Sequence, residues 1–207
     1  MKIALCILMG YLLGSLSPSA LIARIKKKNI RKSGSGNLGA TNTLLHFGRG
    51  FGVAVMVFDI AKSSISVLLA RLIFRSVPLA GLIAGGAAVL GHIFPFYLKF
   101  RGGKGLASFG GLVLAYDPLV FLFLLILCVG LMLVVNHGAA LPVSAGLLFP
   151  LLATWRAEEN AVLVLILAAI PALLVILRHT ENIKNALTGN DVDLRHEIKE
   201  RLFSKKG

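Results

Sequence analysis

Charge is scarce in this chain and acidic charge is scarcest: 15% of the 207 residues are charged, with 9 Asp and Glu against 22 Lys and Arg. Water-soluble domains carry about 25% charged residues. With 57% hydrophobic residues and a mean hydropathy of +0.84, the balance excludes an ordinary soluble domain and points to an integral membrane protein. Cysteine is scarce too. Cys6 and Cys128 lie inside apolar runs, with no metal-ligand spacing and no partner nearby, so both read as packing residues.

The net charge of +13 would suit nucleic acid, but its placement argues against that. Seven Lys/Arg fall within 24–49, three within 99–104 and seven from Arg178 onward, in the gaps between apolar segments and in the tail. Cytoplasmic loops of membrane proteins have this pattern. The first apolar run is preceded only by Lys2 and followed by a dense basic cluster. That asymmetry favours a retained first helix with its N-terminus outside over a cleaved signal peptide.

Seven apolar segments can be drawn, over 3–25, 51–74, 77–99, 106–116, 118–135, 139–155 and 161–177. A full span needs about 20 residues, so the fourth is a half-span, a tilted helix or a re-entrant piece. The sixth is also short and holds Gly146 and Pro150. The expected fold is an all-α membrane protein of about seven helices, N-terminus outside and C-terminus cytoplasmic. Residues 1–189 would form one domain, followed by a basic amphipathic tail over 190–207. In this scheme every polar, glycine-rich connection lands on the cytoplasmic side. Backbone that stops inside the membrane must line a polar cavity or be buried in protein, so the short segments hint at an internal site.

Three motifs could carry chemistry. The run 33–42 (SGSGNLGATN) reads as a phosphate cradle, its backbone N–H groups free to curl around an anion, or as a flexible linker. Its Gly34, Gly36 and Gly39 match the spacing of a dinucleotide fingerprint, but a membrane helix and a basic loop precede it rather than a strand, which excludes a Rossmann site. Arg101, Gly102, Gly103, Lys104 and Gly105 lack the Walker A spacer and its Ser/Thr. They do place a lysine at the mouth of the short fourth helix, whose first N–H groups and dipole favour an anion. In the third motif, His179 and Asn182 stand three apart at the end of the last helix and can face one cavity. Asp59 and Lys62, three apart on the second helix, are expected to pair; His92 reads as a site residue or a helix-packing histidine.

In order, these motifs resemble the bacterial acyl-phosphate:glycerol-3-phosphate acyltransferases, the PlsY family. The resemblance is carried by 33–42, by Gly91, His92, Phe94 and Pro95 leading into 100–107 (FRGGKGLA), and by 178–189 (RHTENIKNALTG). It implies a seven-helix fold in the bacterial inner membrane with a site open to the cytoplasm. It also implies acyl transfer from acyl phosphate to the 1-hydroxyl of glycerol 3-phosphate, giving lysophosphatidic acid and phosphate. Ser35, Gly36, Asn37, Gly39, Thr41 and Asn42 would then cradle the acyl-phosphate head. Gly102, Gly103 and Lys104 would bind phosphate, and His179 and Asn182 would hold glycerol 3-phosphate. Lys104, His179 and Asn182 would be the catalytic residues. The implied partners are the two substrates and membrane lipids, with no nucleic acid, no cofactor and no metal, and a monomer is the simplest expectation.

The chain departs from the family pattern in two places. Leu45 stands where an arginine is usual, three residues after Asn42, and Ala139 and Pro142 stand where serines are usual. Both fall on the acceptor side. A paralogue with altered acceptor use, or a small anion transporter with glycine-broken helices, are the competing readings. Against transport, the halves show no inverted repeat, and the outer side has little polarity beyond Arg71, Arg75 and Asp117.

Overall fold

The first apolar run is built in two pieces, α1 (Lys2–Ser15) and α2 (Pro18–Ile25): Pro18, which lacks an N–H, opens the second, and Ser17 caps it through Ala20 N–H. The computed structural model describes residues 1–32, 34 and 36–190. The break leaves carbonyls without helical partners. Tyr97 Oη donates to Ser15 O at 2.8 Å, and the Lys62 ammonium donates to Leu16 O at 2.7 Å. A chain that leaves its helix at membrane depth needs such partners.

The other helices are α3 (Ala40–Phe47), α4 (Arg49–Ile73), α5 (Ala80–Ile93), α6 (Leu106–Tyr116), α7 (Pro118–Val135), α8 (Ala140–Trp155), α9 (Ala161–Arg178) and α10 (Thr180–Leu187). Among the described residues there is no strand. Among the described residues five stretches are long and apolar enough to cross a membrane, and α6 and α8 are shorter apolar helices. The short fourth segment has the bounds expected of it. The third begins three residues late, because Val77 to Leu79 form a turn with Leu79 in the left-handed region. The expected tail over 190–207 lies, beyond Asn190, outside the described residues.

Small residues set the helix spacing. A Cβ on Gly10 or Gly14 of α1 would stand 2.2 and 2.0 Å from the Ala84 and Ala88 carbonyl oxygens of α5. On α6, a Cβ at Gly111 would meet Ile60 O of α4 at 2.1 Å. Close backbone approach of this kind gives membrane helices their packing contacts, since apolar burial alone gains little against lipid. Phe109, Leu112, Phe149 and Val175 fill the core between α5, α6, α8 and α9.

Polar contacts between connections gather at two ends. At one end Lys2 reaches Ser76, Arg71 donates to Ala115 O and Tyr116 O, and Arg156 pairs with Asp117 at 2.5 Å. Asp117 also caps α7 through Leu119 and Val120 N–H. Burial opposes its charge, but these N–H donors and Arg156 hold its carboxyl below the usual carboxylate value. At the other end Arg31 donates to Arg101 O and Lys104 to Asn182 Oδ1. The glycine-rich connections 34–39 and 102–105 both belong to this second end.

Candidate active site

The segment before α3 is tied down by its own polar side chains. Asn42 Nδ2 donates to Ile30 O at 2.8 Å and Asn37 O at 3.1 Å, and Thr43 Oγ1 bonds Gly39 O and Ser19 Oγ. This is a folded loop rather than a linker. Gly36 takes φ +64°, a conformation that favours glycine. Gly39 is the N-cap of α3 with extended backbone, and a Cβ there would meet nothing within 4 Å.

The second glycine connection folds back on the end of α5. Gly102 and Gly103 N–H donate to Ile93 O and His92 O, taking up carbonyls the helix leaves open. A Cβ on Gly102 would lie 2.0 Å from His92 O, and one on Gly103 would lie 2.2 Å from His92 Nε2. Only glycine permits this approach. The turn ends at Gly105, φ +91°, which starts α6 without a side-chain cap.

Between these loops opens a cavity of about 480 Å³. Its polar end is bordered by the first residues of two helices, Gly39 to Thr41 of α3 and Gly105 to Ala107 of α6. Neither helix has a side-chain cap, so both present orphan N–H groups and the positive ends of their dipoles to one space. Asn37, Asn42, Lys104, His179 and Asn182 complete that end, with Asp59 and His92 beneath. The rest is apolar, walled by Phe109 and Val113 of α6, Phe121 and Leu124 of α7, and Leu141 and Ala145 of α8. A small anionic head joined to a long apolar tail matches that division.

Lys104 is half-buried and reaches Asn182 Oδ1. Burial pushes its ammonium below the ordinary lysine value; Glu181 pulls it back up and Arg178 adds to the lowering. His179 caps the end of α9, and its Nδ1–H donates to Val175 O at 2.7 Å. Burial lowers its affinity for a second proton, aided by Lys104 and Arg178 and opposed by the Val175 carbonyl. The ring is therefore neutral at pH 7, with a lone pair on Nε2.

Of the residues expected at the site, Asn37, Gly39, Thr41, Asn42, Lys104, His179 and Asn182 border the one cavity. Gly36, Gly102 and Gly103 shape its loops without lining it, and Ser35 lies outside the described residues. Asn42 differs in kind from its neighbours, because its amide is committed to backbone carbonyls. His179 and Asn182 do not share a helix as expected. The chain turns at His179, ending α9 and starting α10. Sequence reasoning missed α3 altogether, since Gly39 offers no side-chain cap to mark its start. Leu45 is exposed and Pro142 buried, and neither lines the cavity.

Beneath the site, Asp59 and Lys62 pair as expected at 2.7 Å, and His92 joins them, its Nδ1 2.9 Å from Lys62 Nζ and 3.2 Å from Asp59 Oδ1. The Asp59–Lys62 contact is ionic rather than directional, since Asp59 Oδ1 has no partner at hydrogen-bond angles among the described residues.

Residues 4–189 match the profile of the family described as glycerol-3-phosphate acyltransferase. A protein of that name from Aquifex aeolicus is 36% identical over 194 residues, 92% of this chain and 98% of the relative. One from Shouchella clausii is 40% identical, over 89% and 92% of the two chains. The fold is similar to the crystal structure of PlsY (YgiH), an integral membrane glycerol 3-phosphate acyltransferase, in its glycerol 3-phosphate form. The TM-score is 0.84 at 33% identity, covering 94% of this chain and 96% of that one. The lysophosphatidic acid form of PlsY is similar at a TM-score of 0.81.

Proposed function

The chain belongs to the glycerol-3-phosphate acyltransferase family and acylates glycerol 3-phosphate at a membrane in phospholipid synthesis, and we propose that its acyl donor is an acyl phosphate. The observation that carries the donor assignment is the cavity itself. Two uncapped helix N-termini and Lys104 surround one end, and an apolar channel forms the other. An acyl phosphate puts its dianionic head and its fatty chain on those two ends.

The reaction needs no nucleophile from the protein. The 1-hydroxyl oxygen of glycerol 3-phosphate attacks the acyl carbonyl carbon. The bond from that carbon to the phosphate oxygen breaks, its electron pair going to phosphate, and the hydroxyl proton passes to a phosphate oxygen. Lysophosphatidic acid and inorganic phosphate result. Lys104 and the helix N–H groups stabilise the charge that grows on the departing phosphate. His179 Nε2 accepts a hydrogen bond from the acceptor hydroxyl, and Asn182, held by Lys104, orients the polyol. Both reactants are anionic, so confining them together supplies much of the rate.

Without an arginine at Leu45, the acceptor phosphate falls to the cations left at this end. Arg178 is foremost: its charge bears on both Lys104 and His179, and its buried Nε has no partner among the described residues. The reading further includes seven crossings of the bacterial inner membrane, N-terminus outside and the site end cytoplasmic, as the basic loops favour.

Purified protein in detergent, given palmitoyl phosphate and glycerol 3-phosphate, is expected to form lysophosphatidic acid and phosphate in equal amounts. Turnover with palmitoyl-CoA or acyl carrier protein and none with palmitoyl phosphate would overturn the donor assignment. A cysteine placed at Lys28 or Lys184 should be labelled by a membrane-impermeant maleimide in inverted vesicles and protected in intact cells.

A further inference from the structure

We propose that His92 is a catalytic residue whose Nε2–H donates a hydrogen bond to the phosphate held at the polar end of the cavity. The assignment rests on the acyl-phosphate reading above. It begins from a buried group that the reaction has not used. Asp59 and Lys62 are 2% and 4% exposed inside α4, and a buried ion pair is costly unless it is well satisfied. Here the lysine is satisfied. Its ammonium meets Asp59 Oδ1, donates to Leu16 O at 2.7 Å and lies 2.9 Å from His92 Nδ1.

Those three contacts determine the histidine tautomer. An ammonium has donors only, so the ring nitrogen that faces it must accept. A proton on Nδ1 would point N–H against N–H across 2.9 Å, and the Asp59 Oδ1 contact at 3.2 Å is the longer of the two and poorly angled for a hydrogen bond. The ring therefore presents an N–H at Nε2. The two histidines of the site then differ at that atom: His179 offers a lone pair and His92 offers an N–H.

The direction of that N–H follows from the packing. His92 borders the cavity; its Nδ1 faces α4, and Nε2 on the opposite edge lies against the 102–105 loop, where a Cβ on Gly103 would stand 2.2 Å from it. Nε2 makes no hydrogen bond among the described residues. A histidine that merely packs helices has both nitrogens satisfied. This one keeps a donor for a ligand at the 102–105 loop, where Lys104 and the start of α6 converge on an anion. Phosphate oxygens only accept, and they gain charge as the acyl–oxygen bond breaks, so the hydrogen bond strengthens in the transition state. No proton leaves His92.

Glutamine and methionine at position 92 have nearly one shape, but only glutamine can place an N–H near the Nε2 position. With palmitoyl phosphate and glycerol 3-phosphate, His92→Met should lower kcat on the order of 100-fold with KM for glycerol 3-phosphate within about twofold. His92→Gln should recover at least about tenfold of that loss. Equal rates for the two variants, in a preparation whose wild type turns over palmitoyl phosphate, would overturn the assignment and leave the donor reading standing. The tautomer is measured without substrate, by nitrogen NMR of the histidine-labelled full chain. Nε2–H at His92 is expected, and a proton on Nδ1 overturns the proposal even if neither variant folds or palmitoyl phosphate is not used.

Discussion

The two glycine-rich connections at the site end look alike in sequence and differ in what their glycines do. In 102–105 the glycines are crowded: a Cβ at Gly102 or Gly103 would enter the space of His92, and Gly105 sits at φ +91° against Ile93. In 34–39, Gly39 meets nothing within 4 Å and has ordinary extended backbone, yet it borders the cavity. One loop is glycine because protein fills the space beside it. The other is glycine at Gly39 although protein leaves the space beside it empty, and that space opens onto the cavity.

Lys104→Met should break the comparison at its centre, lowering kcat/KM on the order of 1000-fold while the thermal midpoint moves by no more than about 2 °C. Gly103→Ala comes next. It should cost about 1–3 kcal/mol of stability by overpacking, read by thermal unfolding, together with on the order of 100-fold in activity as Lys104 is displaced. Gly39→Ala should leave the unfolding midpoint unchanged and raise KM for palmitoyl phosphate about tenfold, one methyl in a fitted site being worth roughly 1–3 kcal/mol. A loss of stability equal to that of Gly103→Ala would erase the distinction between the two loops. Arg178→Gln should raise KM for glycerol 3-phosphate about tenfold, the low end of the roughly 1.5–3 kcal/mol of a charge-assisted hydrogen bond, and leave KM for the donor alone.

The smallest effect is electrostatic. Lys104 must be charged to bind phosphate, and burial lowers its pKa, so kcat/KM should fall on the alkaline side at a pH below the ordinary lysine value. Glu181 opposes that lowering. Glu181→Gln should therefore move the alkaline limb to lower pH, with little change at neutrality. The acid limb belongs to His179, whose lone pair is lost only below the ordinary histidine value.

Membrane helices were legible wherever apolar length alone decides them. The expected 106–116 and 118–135 segments match α6 and α7 at both ends, because Gly105, Asp117 and Pro118 punctuate them with residues whose local geometry is strongly preferred. α3 was not legible, since eight residues in a polar stretch carry no apolar period and the helix is held by Asn42, Thr43 and Ser19 acting across the chain. The turn at His179 was hidden for the same reason. Lys104, His179 and Asn182 could be named from motif and spacing. The role of His92 could not, because its tautomer depends on a lysine thirty residues away that answers a helix break at Pro18.

Composition, the placement of basic residues and the order of three motifs were enough to determine the class of this protein and to single out candidate site residues that gather at one end of the bundle. Those properties follow from burial and charge, which each residue brings to every fold it joins. Only the tertiary structure decided that two helix N-termini meet over one cavity, that Asn42 builds the loop, and that two histidines present opposite faces of the same ring chemistry. Such assignments turn on hydrogen-bond direction between distant segments, a quantity that no local stretch of sequence contains.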